Sequence, residues 1–310
     1  MKALVTGGAG FIGSHLVDSL IAKGVEVIVL DSLSSGYVKN INSQAEFVKG
    51  DVRDQELITS LMGRVDVCYH LAAMVSIIDC SEHWVDSVSV NVAGTVSVLN
   101  AAFKHKRGGV VPVVYASSCA VYGDNQELPL NESSLPSPIS SYGVSKLCCE
   151  LEGKLAYKAY GVPSMGLRPF NVYGHRQNPD CPYAGVVVNF VEHASRNEPF
   201  SIYGDGFQTR DFIYVADVVD YFIRSMDFLA EEPGAYVANV CTGQQTTINE
   251  LALIIADEAG CSVEMSYLES RAGDIRFYYG DASYANKLIG QSLGWSLKLG
   301  LAEMLSHYDF

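Results

Sequence analysis

Positive charge is scarce in this 310-residue chain: 21 Lys and Arg stand against 35 Asp and Glu, a formal net charge of −14. No block of Lys or Arg relieves that balance. A general nucleic-acid surface is therefore excluded, since binding a phosphate backbone needs a positive footprint, while a local basic pocket remains open. Long apolar runs are missing too. Each is interrupted before the roughly 20 residues that a bilayer requires, and no signal-like segment precedes the first strand, so a cytosolic address without a membrane partner is expected. The eight cysteines are scattered, and no CxxC pair has a histidine or cysteine cluster beside it. The seven histidines show no HExxH spacing. Reduced packing cysteines and no metal follow. Internal repeats and low-complexity stretches are also lacking, and an apolar fraction of 48% can supply one large core or two closely joined domains.

What is present starts at the first strand. Ala3-Leu4-Val5 runs into Thr6-Gly7-Gly8-Ala9-Gly10-Phe11-Ile12-Gly13, and Leu16, Val17, Leu20 and Ile21 continue with helical spacing. Strand, tight turn and helix thus follow in the order of a phosphate cradle. Gly7 and Gly10 permit close backbone approach to a pyrophosphate, and Gly13 permits close packing of the first helix. A second strand, Val25 to Leu30, ends at Asp31, whose carboxylate is placed to accept from an adenosine ribose and favours NAD over its phosphorylated form. Further strands are read at Ala45–Val48, Val65–Leu71 and Val110–Ser117, with a helical stretch near Val88–Phe103. Asp51, after the third strand, is a candidate for the adenine. Leu71-Ala72-Ala73 is small enough to pass near a dinucleotide. Strand and helix alternate, which predicts a doubly wound parallel sheet.

The chemistry-bearing residues come next. Ser118 ends the fifth strand, and a helix beginning near Ser141 carries Tyr142 and Lys146 four residues apart, on one face. A tyrosinate can accept the proton of a secondary alcohol while hydride passes from its carbon to a nicotinamide. Lys146 and the positive ring would favour that anion, and Ser118 can hold the same oxygen. Asn91 is placed to bond a backbone carbonyl behind the site. Cys119 reads as a buried thiol.

Taken in order, the glycine turn, His70-Leu71-Ala72-Ala73, Ser117-Ser118-Cys119-Ala120-Val121-Tyr122-Gly123 and Tyr142-Gly143-Val144-Ser145-Lys146 resemble the extended short-chain dehydrogenase/reductase family, and within it the nucleotide-sugar epimerases and dehydratases. Arg168-Pro169-Phe170-Asn171-Val172-Tyr173-Gly174 and Gly204-Asp205-Gly206-Phe207-Gln208-Thr209-Arg210-Asp211-Phe212 extend the resemblance over nearly the full length. It implies a Rossmann-type sheet with a smaller α/β substrate-binding domain, divided as 1–171 for the cofactor, 172–210 for the substrate, 211–237 returning to the cofactor domain, and 238–310 mostly substrate. It further implies that Phe11, Ile12, Ser34, Gly36, Val52 and Phe170 line the NAD site. Asn171 would meet the sugar-nucleotide phosphates, Arg210 and Arg271 would clamp the diphosphate, Tyr203 would border the base and Asp274 would help hold the nucleoside.

Dehydratases of this kind place an Asp-Glu pair directly after the active serine or threonine, where this chain has Cys119-Ala120, and Cys119 has no histidine partner of the 3,5-epimerase type. The resemblance therefore implies 4-epimerisation through a transient 4-keto sugar, with NAD regenerated in each turnover. A bulky Tyr278 favours UDP-glucose and UDP-galactose over the N-acetylated pair; uracil against thymine stays open. A dehydratase, a simple dehydrogenase and a non-catalytic dinucleotide sensor are the competing classes. A homodimer through helices at about 82–105 and 141–160 is expected, although the same pattern fits packing on the sheet.

Overall fold

In the computed structural model, residues 1–104, 109–178, 185–262, 264–270, 275–290 and 294–308 are described. The strands are β1 (Lys2–Thr6), β2 (Glu26–Asp31), β3 (Glu46–Lys49), β4 (Val67–His70), β5 (Val113–Ala116), β6 (Ser164–Pro169), β7 (Asn171–Tyr173), β8 (Phe200–Tyr203), β9 (Thr209–Arg210), β10 (Phe212–Tyr214), β11 (Ala235–Val240), β12 (Thr246–Thr247) and β13 (Met265–Leu268). Seven form one sheet in the order β11-β6-β5-β4-β1-β2-β3, with every pairing parallel. The sheet is buried on both faces, which is why its strands read as apolar runs rather than alternating ones. One face packs on the helices Phe11–Ala22 and Val215–Glu231 through Leu16, Val17, Leu20, Val218 and Phe222. The other packs on the helices Gln55–Met62, Gly94–Phe103 and Ser141–Tyr160 through Ile58, Leu61, Val98, Cys149 and Ala156. The doubly wound Rossmann-type architecture expected from the sequence is thus present.

Connections leave β1 and β4 toward opposite edges, so the strand order reverses between them. A crevice opens there at the carboxyl ends. The register pairs Thr6 with His70 and with Leu30, which brings the glycine turn, the residues after β4 and Asp31 together. The fourth strand is shorter than Val65–Leu71, and the fifth starts three residues later than Val110. Pro112 supplies only a carbonyl to the ladder, accepting from the Cys68 amide at 3.0 Å.

A third core gathers Val187, Val188, Phe190, Phe200, Leu251, Ile255, Leu301 and Met304 beyond the crevice. The helix Ile248–Ala259 within it is opened by a capping box between Thr247 and Glu250. A smaller cluster of Val121, Tyr122, Leu130, Phe170, Cys241, Tyr278 and Ala282 lies around the chain that follows β5 and β6. Within 211–237, the segment expected to return to the cofactor domain, β10 leads into the helix Val215–Glu231, but β10 pairs with β7 outside the seven-stranded sheet. The seventh place in that sheet is taken by β11, which runs across residue 237.

Candidate active site

At the end of β1 the Gly7 amide donates to the Leu30 carbonyl at 2.8 Å, and Gly7 has φ +73°. A Cβ there would lie 2.6 Å from the Ala72 amide nitrogen, and one at Gly13 would drive into the Gly7 carbonyl. Both positions therefore need glycine. Gly10 begins the helix without a side-chain cap, which leaves the first-turn amides of Phe11, Ile12 and Gly13 without helical partners and favours an anion there. Asp31 is buried at the end of β2; its Oδ2 accepts from the Ala9 amide at 3.0 Å and its Oδ1 from the Leu33 amide at 2.8 Å. Each oxygen keeps a lone pair for a ribose hydroxyl. The loop with Ser34 and Gly36 folds over the turn, where the Tyr37 amide and the Asn40 side chain both donate to the Ala9 carbonyl. Val52 is buried against Gly94. Asp51 is engaged locally: the Arg53 guanidinium donates to both its oxygens, at 2.9 and 2.7 Å, and holds its carboxyl below the usual range. A glycine cradle, an uncapped helix start and an inward carboxylate fit an adenine dinucleotide.

Beyond β4, Leu71, Ala72 and Ala73 line the opposite wall. The Leu71 amide donates to Thr6. Asn91 sits in a π turn, Ser89–Ala93, inside the long helical stretch; its side chain accepts from the Met74 amide at 2.8 Å and donates to the Met74 carbonyl at 3.0 Å. It bonds backbone, as read from the sequence. The π turn itself was not foreseen. Behind this wall His70 is buried between the hydroxyls of Thr6, at 2.7 Å, and Thr95, at 3.0 Å.

Ser118 lies at the end of β5, nearly buried, with its hydroxyl accepting from the Ala120 amide at 3.1 Å. Helix Ser141–Tyr160 starts at the N-cap Ser140, which accepts from the Gly143 amide, and ends at the left-handed Gly161. Tyr142 and Lys146 share its face toward β5. The Lys146 ammonium donates to the Ala116 carbonyl at 2.8 Å and stands 5.7 Å from the Tyr142 ring centre. Burial pushes the Tyr142 phenol well above its usual value, and a hydrogen bond with the Ser118 side chain works against that rise. Burial pulls the Lys146 ammonium down. Desolvation of the phenolate thus runs against the lowering of Tyr142 expected from Lys146. Cys119, next to Ser118, is a buried thiol whose pKa burial pushes up to about 12, which keeps it protonated.

Phe170 is buried and faces Tyr278, ring centres 5.7 Å apart. The Tyr278 hydroxyl donates to the Cys119 carbonyl at 2.5 Å. Asn171 follows, its amide donating to Asp211 at 3.0 Å and its side-chain Oδ1 buried without a hydrogen-bond partner. Arg210 is half-buried and donates from one nitrogen to the Thr209 and Ile275 carbonyls, at 2.8 and 2.7 Å. Tyr203, at the end of β8, is exposed. Arg271 and Asp274 lie outside the described residues. Among those described, no group of three or more His, Cys, Asp or Glu could hold a metal ion, and no helix is long and apolar enough to cross a membrane.

Comparison with known proteins is consistent with this geometry. Residues 3–241 match the NAD dependent epimerase/dehydratase family. A putative UDP-glucose 4-epimerase of Methanocaldococcus jannaschii is 40% identical over 302 residues, 97% of this chain and 94% of that protein. The structure of UDP-glucose 4-epimerase with UDP-glucose from Thermotoga maritima aligns with a TM-score of 0.93 at 36% identity, covering 99% of this chain and 98% of that one. A UDP-N-acetylglucosamine 4-epimerase from Methanobrevibacter ruminantium M1, in complex with UDP-N-acetylmuramic acid, aligns at 0.92 and 34% identity, covering 98% and 97%.

Proposed function

Because the chain belongs to the NAD dependent epimerase/dehydratase family, we propose that it interconverts UDP-glucose and UDP-galactose by inversion at C4, with NAD held tightly throughout. The observation that carries this is the meeting of Ser118, Tyr142 and Lys146 beside the glycine cradle, with Cys119 and Ala120 where a dehydratase needs its acid and base. When bound, NAD supplies a reversible hydride acceptor and a positive ring, which allows a transient 4-keto sugar. Gly7, Gly10 and Gly13 would cradle its pyrophosphate, with Phe11 and Ile12 at the helix start. Asp31, Ser34, Gly36, Asp51 and Val52 would hold the adenosine half, and Leu71, Ala72, Ala73, Asn91, Tyr142, Lys146 and Phe170 the nicotinamide half.

In this reading Tyr142 takes the C4 hydroxyl proton and returns it, Ser118 holds the C4 oxygen, and Lys146 offsets the desolvation that burial imposes on the phenolate. Asn171 offers its buried acceptor to a substrate donor. Arg210 and Arg271 would steady the diphosphate, Tyr203 the base and Asp274 the nucleoside. These remote contacts retain the nucleotide while the keto sugar turns over. Tyr278, packed on Phe170, narrows the space beside the sugar and supports an unsubstituted hexose. The likeness to the Methanobrevibacter protein favours a second reading, the N-acetylated pair.

We also propose a homodimer and a cytosolic address. Trp84, Val85, Val88, Leu151 and Leu155 expose apolar surface on two adjoining helical layers, and the seven described cysteines are free thiols.

Incubation with UDP-glucose, UDP-galactose and both N-acetylated counterparts, followed by separation of isomers and mass measurement, tests the assignment. Interconversion at unchanged mass, fastest for the unsubstituted pair, is expected. Loss of water, net release of NADH or no conversion of any sugar would sink it.

A further inference from the structure

We infer that the buried ion pair of Glu150 and Arg168 is a positioning device for the proposed epimerisation, fixing the spacing of the segments that carry the reacting groups; this rests on the roles given above to Ser118, Tyr142 and Lys146. Glu150 follows Lys146 by one helical turn and Tyr142 by two, on the same face, and its side chain is 1% exposed. Its Oε1 accepts from the Ser117 hydroxyl at 2.5 Å and from Arg168 Nε at 2.7 Å, and its Oε2 accepts from Arg168 Nη2 at 2.6 Å. The remaining guanidinium nitrogen donates to the Tyr122 hydroxyl at 2.8 Å. Tyr122 in turn donates to Asn239 Oδ1 at 2.7 Å, and Asn239 donates to the Leu130 carbonyl at 2.9 Å.

Every arm of this network ends beside the site. Ser117 precedes Ser118. Tyr122 closes the turn Cys119–Tyr122 that follows Ser118. Arg168 lies two residues before Phe170, whose amide donates at 3.0 Å to Val240, the neighbour of Asn239. Glu150 itself rides on the helix of Tyr142 and Lys146. One carboxylate therefore joins the end of β5, the catalytic helix and the end of β6, and through Tyr122 it reaches β11.

Stability alone does not account for such a pair, because apolar side chains of similar volume avoid the desolvation of two ions and are often no worse for folding. A two-pronged Arg–carboxylate contact adds defined distance and angle instead. That matters where a misplacement of about 1 Å can cost ~100-fold in rate.

The test compares wild type with the double variant Glu150→Met/Arg168→Met, which removes both charges together, and with Ser117→Ala, which removes only the tie nearest Ser118. Steady-state kinetics with the sugar nucleotide that wild type converts, retained NAD and the thermal midpoint are measured. In the double variant kcat should fall by ~10-fold or more while KM moves by less than about threefold and bound NAD is retained. Ser117→Ala should show a smaller fall of the same kind. Wild-type kcat in the double variant, or a loss confined to KM and NAD retention, overturns the inference. If the double variant does not fold, Ser117→Ala decides: lower kcat at an unchanged thermal midpoint supports it, and wild-type kcat overturns it. An active wild type matched by its variants overturns this inference alone; a wild type that converts no sugar nucleotide overturns the epimerase reading and this with it.

Discussion

In the proposed epimerisation Tyr142 carries the heaviest chemical demand of any single residue. Its phenol is raised by burial, so the fraction ready to accept a proton grows with pH, and conversion by the wild type is expected to rise from neutral toward alkaline pH. Tyr142→Phe removes one hydroxyl and little volume. Conversion should drop by ~100- to 10,000-fold, followed by isomer separation, while the circular dichroism spectrum and bound NAD stay unchanged; near-normal turnover would remove the residue from its role. The meeting of Ser118, Tyr142 and Lys146 was legible in the sequence because a four-residue spacing puts two of them on one helix face and a strand end supplies the third. What Lys146 bonds was not legible, since the Ala116 carbonyl is brought to it by packing. Nor was the partner of Asp51 legible: Arg53 is only two residues away, but sequence spacing does not say which way a loop side chain turns.

Among elements, His70 binds β1, β4 and the helix Gly94–Phe103 into one unit. The Thr95 hydroxyl donates to the Asn91 carbonyl at 2.7 Å, so it accepts from His70 Nε2. Thr6 accepts from the Ala72 amide at 3.3 Å and donates to Nδ1. A neutral ring with its proton on Nε2 satisfies all four groups. Burial, aided by the charge of Lys146, pulls the His70 pKa down to about 3. The unfolded chain then binds the extra proton at a higher pH than the folded one, so this group's contribution to stability is present above the ordinary histidine range and is lost progressively as pH falls toward 3. Thermal midpoints measured between pH 7 and 5 should fall, and His70→Gln should flatten that slope. An unchanged slope would show that other histidines carry the acid sensitivity. Strand and helix alternation was readable here because a sheet covered on both faces needs apolar runs. The π turn at Ser89–Ala93 was not, because one extra residue in a helical turn barely disturbs apolar periodicity.

For the molecule as a whole, the exposed apolar side chains on Trp84–Val88 and on Ser141–Tyr160 would meet a second copy of the same chain in the homodimer proposed above. A two-fold contact uses one patch on both partners, so paired charges in it would repel twice. Leu151→Glu/Leu155→Glu is expected to sediment as a monomer in analytical ultracentrifugation where wild type sediments as a dimer; equal sedimentation of the two would exclude this face. A parallel sheet covered on both faces was foreseeable from strand-helix alternation and right-handed connections, whereas the pairing of β10 with β7 was not, because three-residue strands leave almost no pattern. Long-range ties are invisible for the same reason. The Tyr278 hydroxyl reaches across 159 positions to the Cys119 carbonyl, one residue past Ser118. On the proposed role of Tyr278, a descendant that shrinks it to admit a larger sugar would also unfasten the turn that follows Ser118, so that broader appetite and slower turnover would be inherited together until another donor is found for that carbonyl.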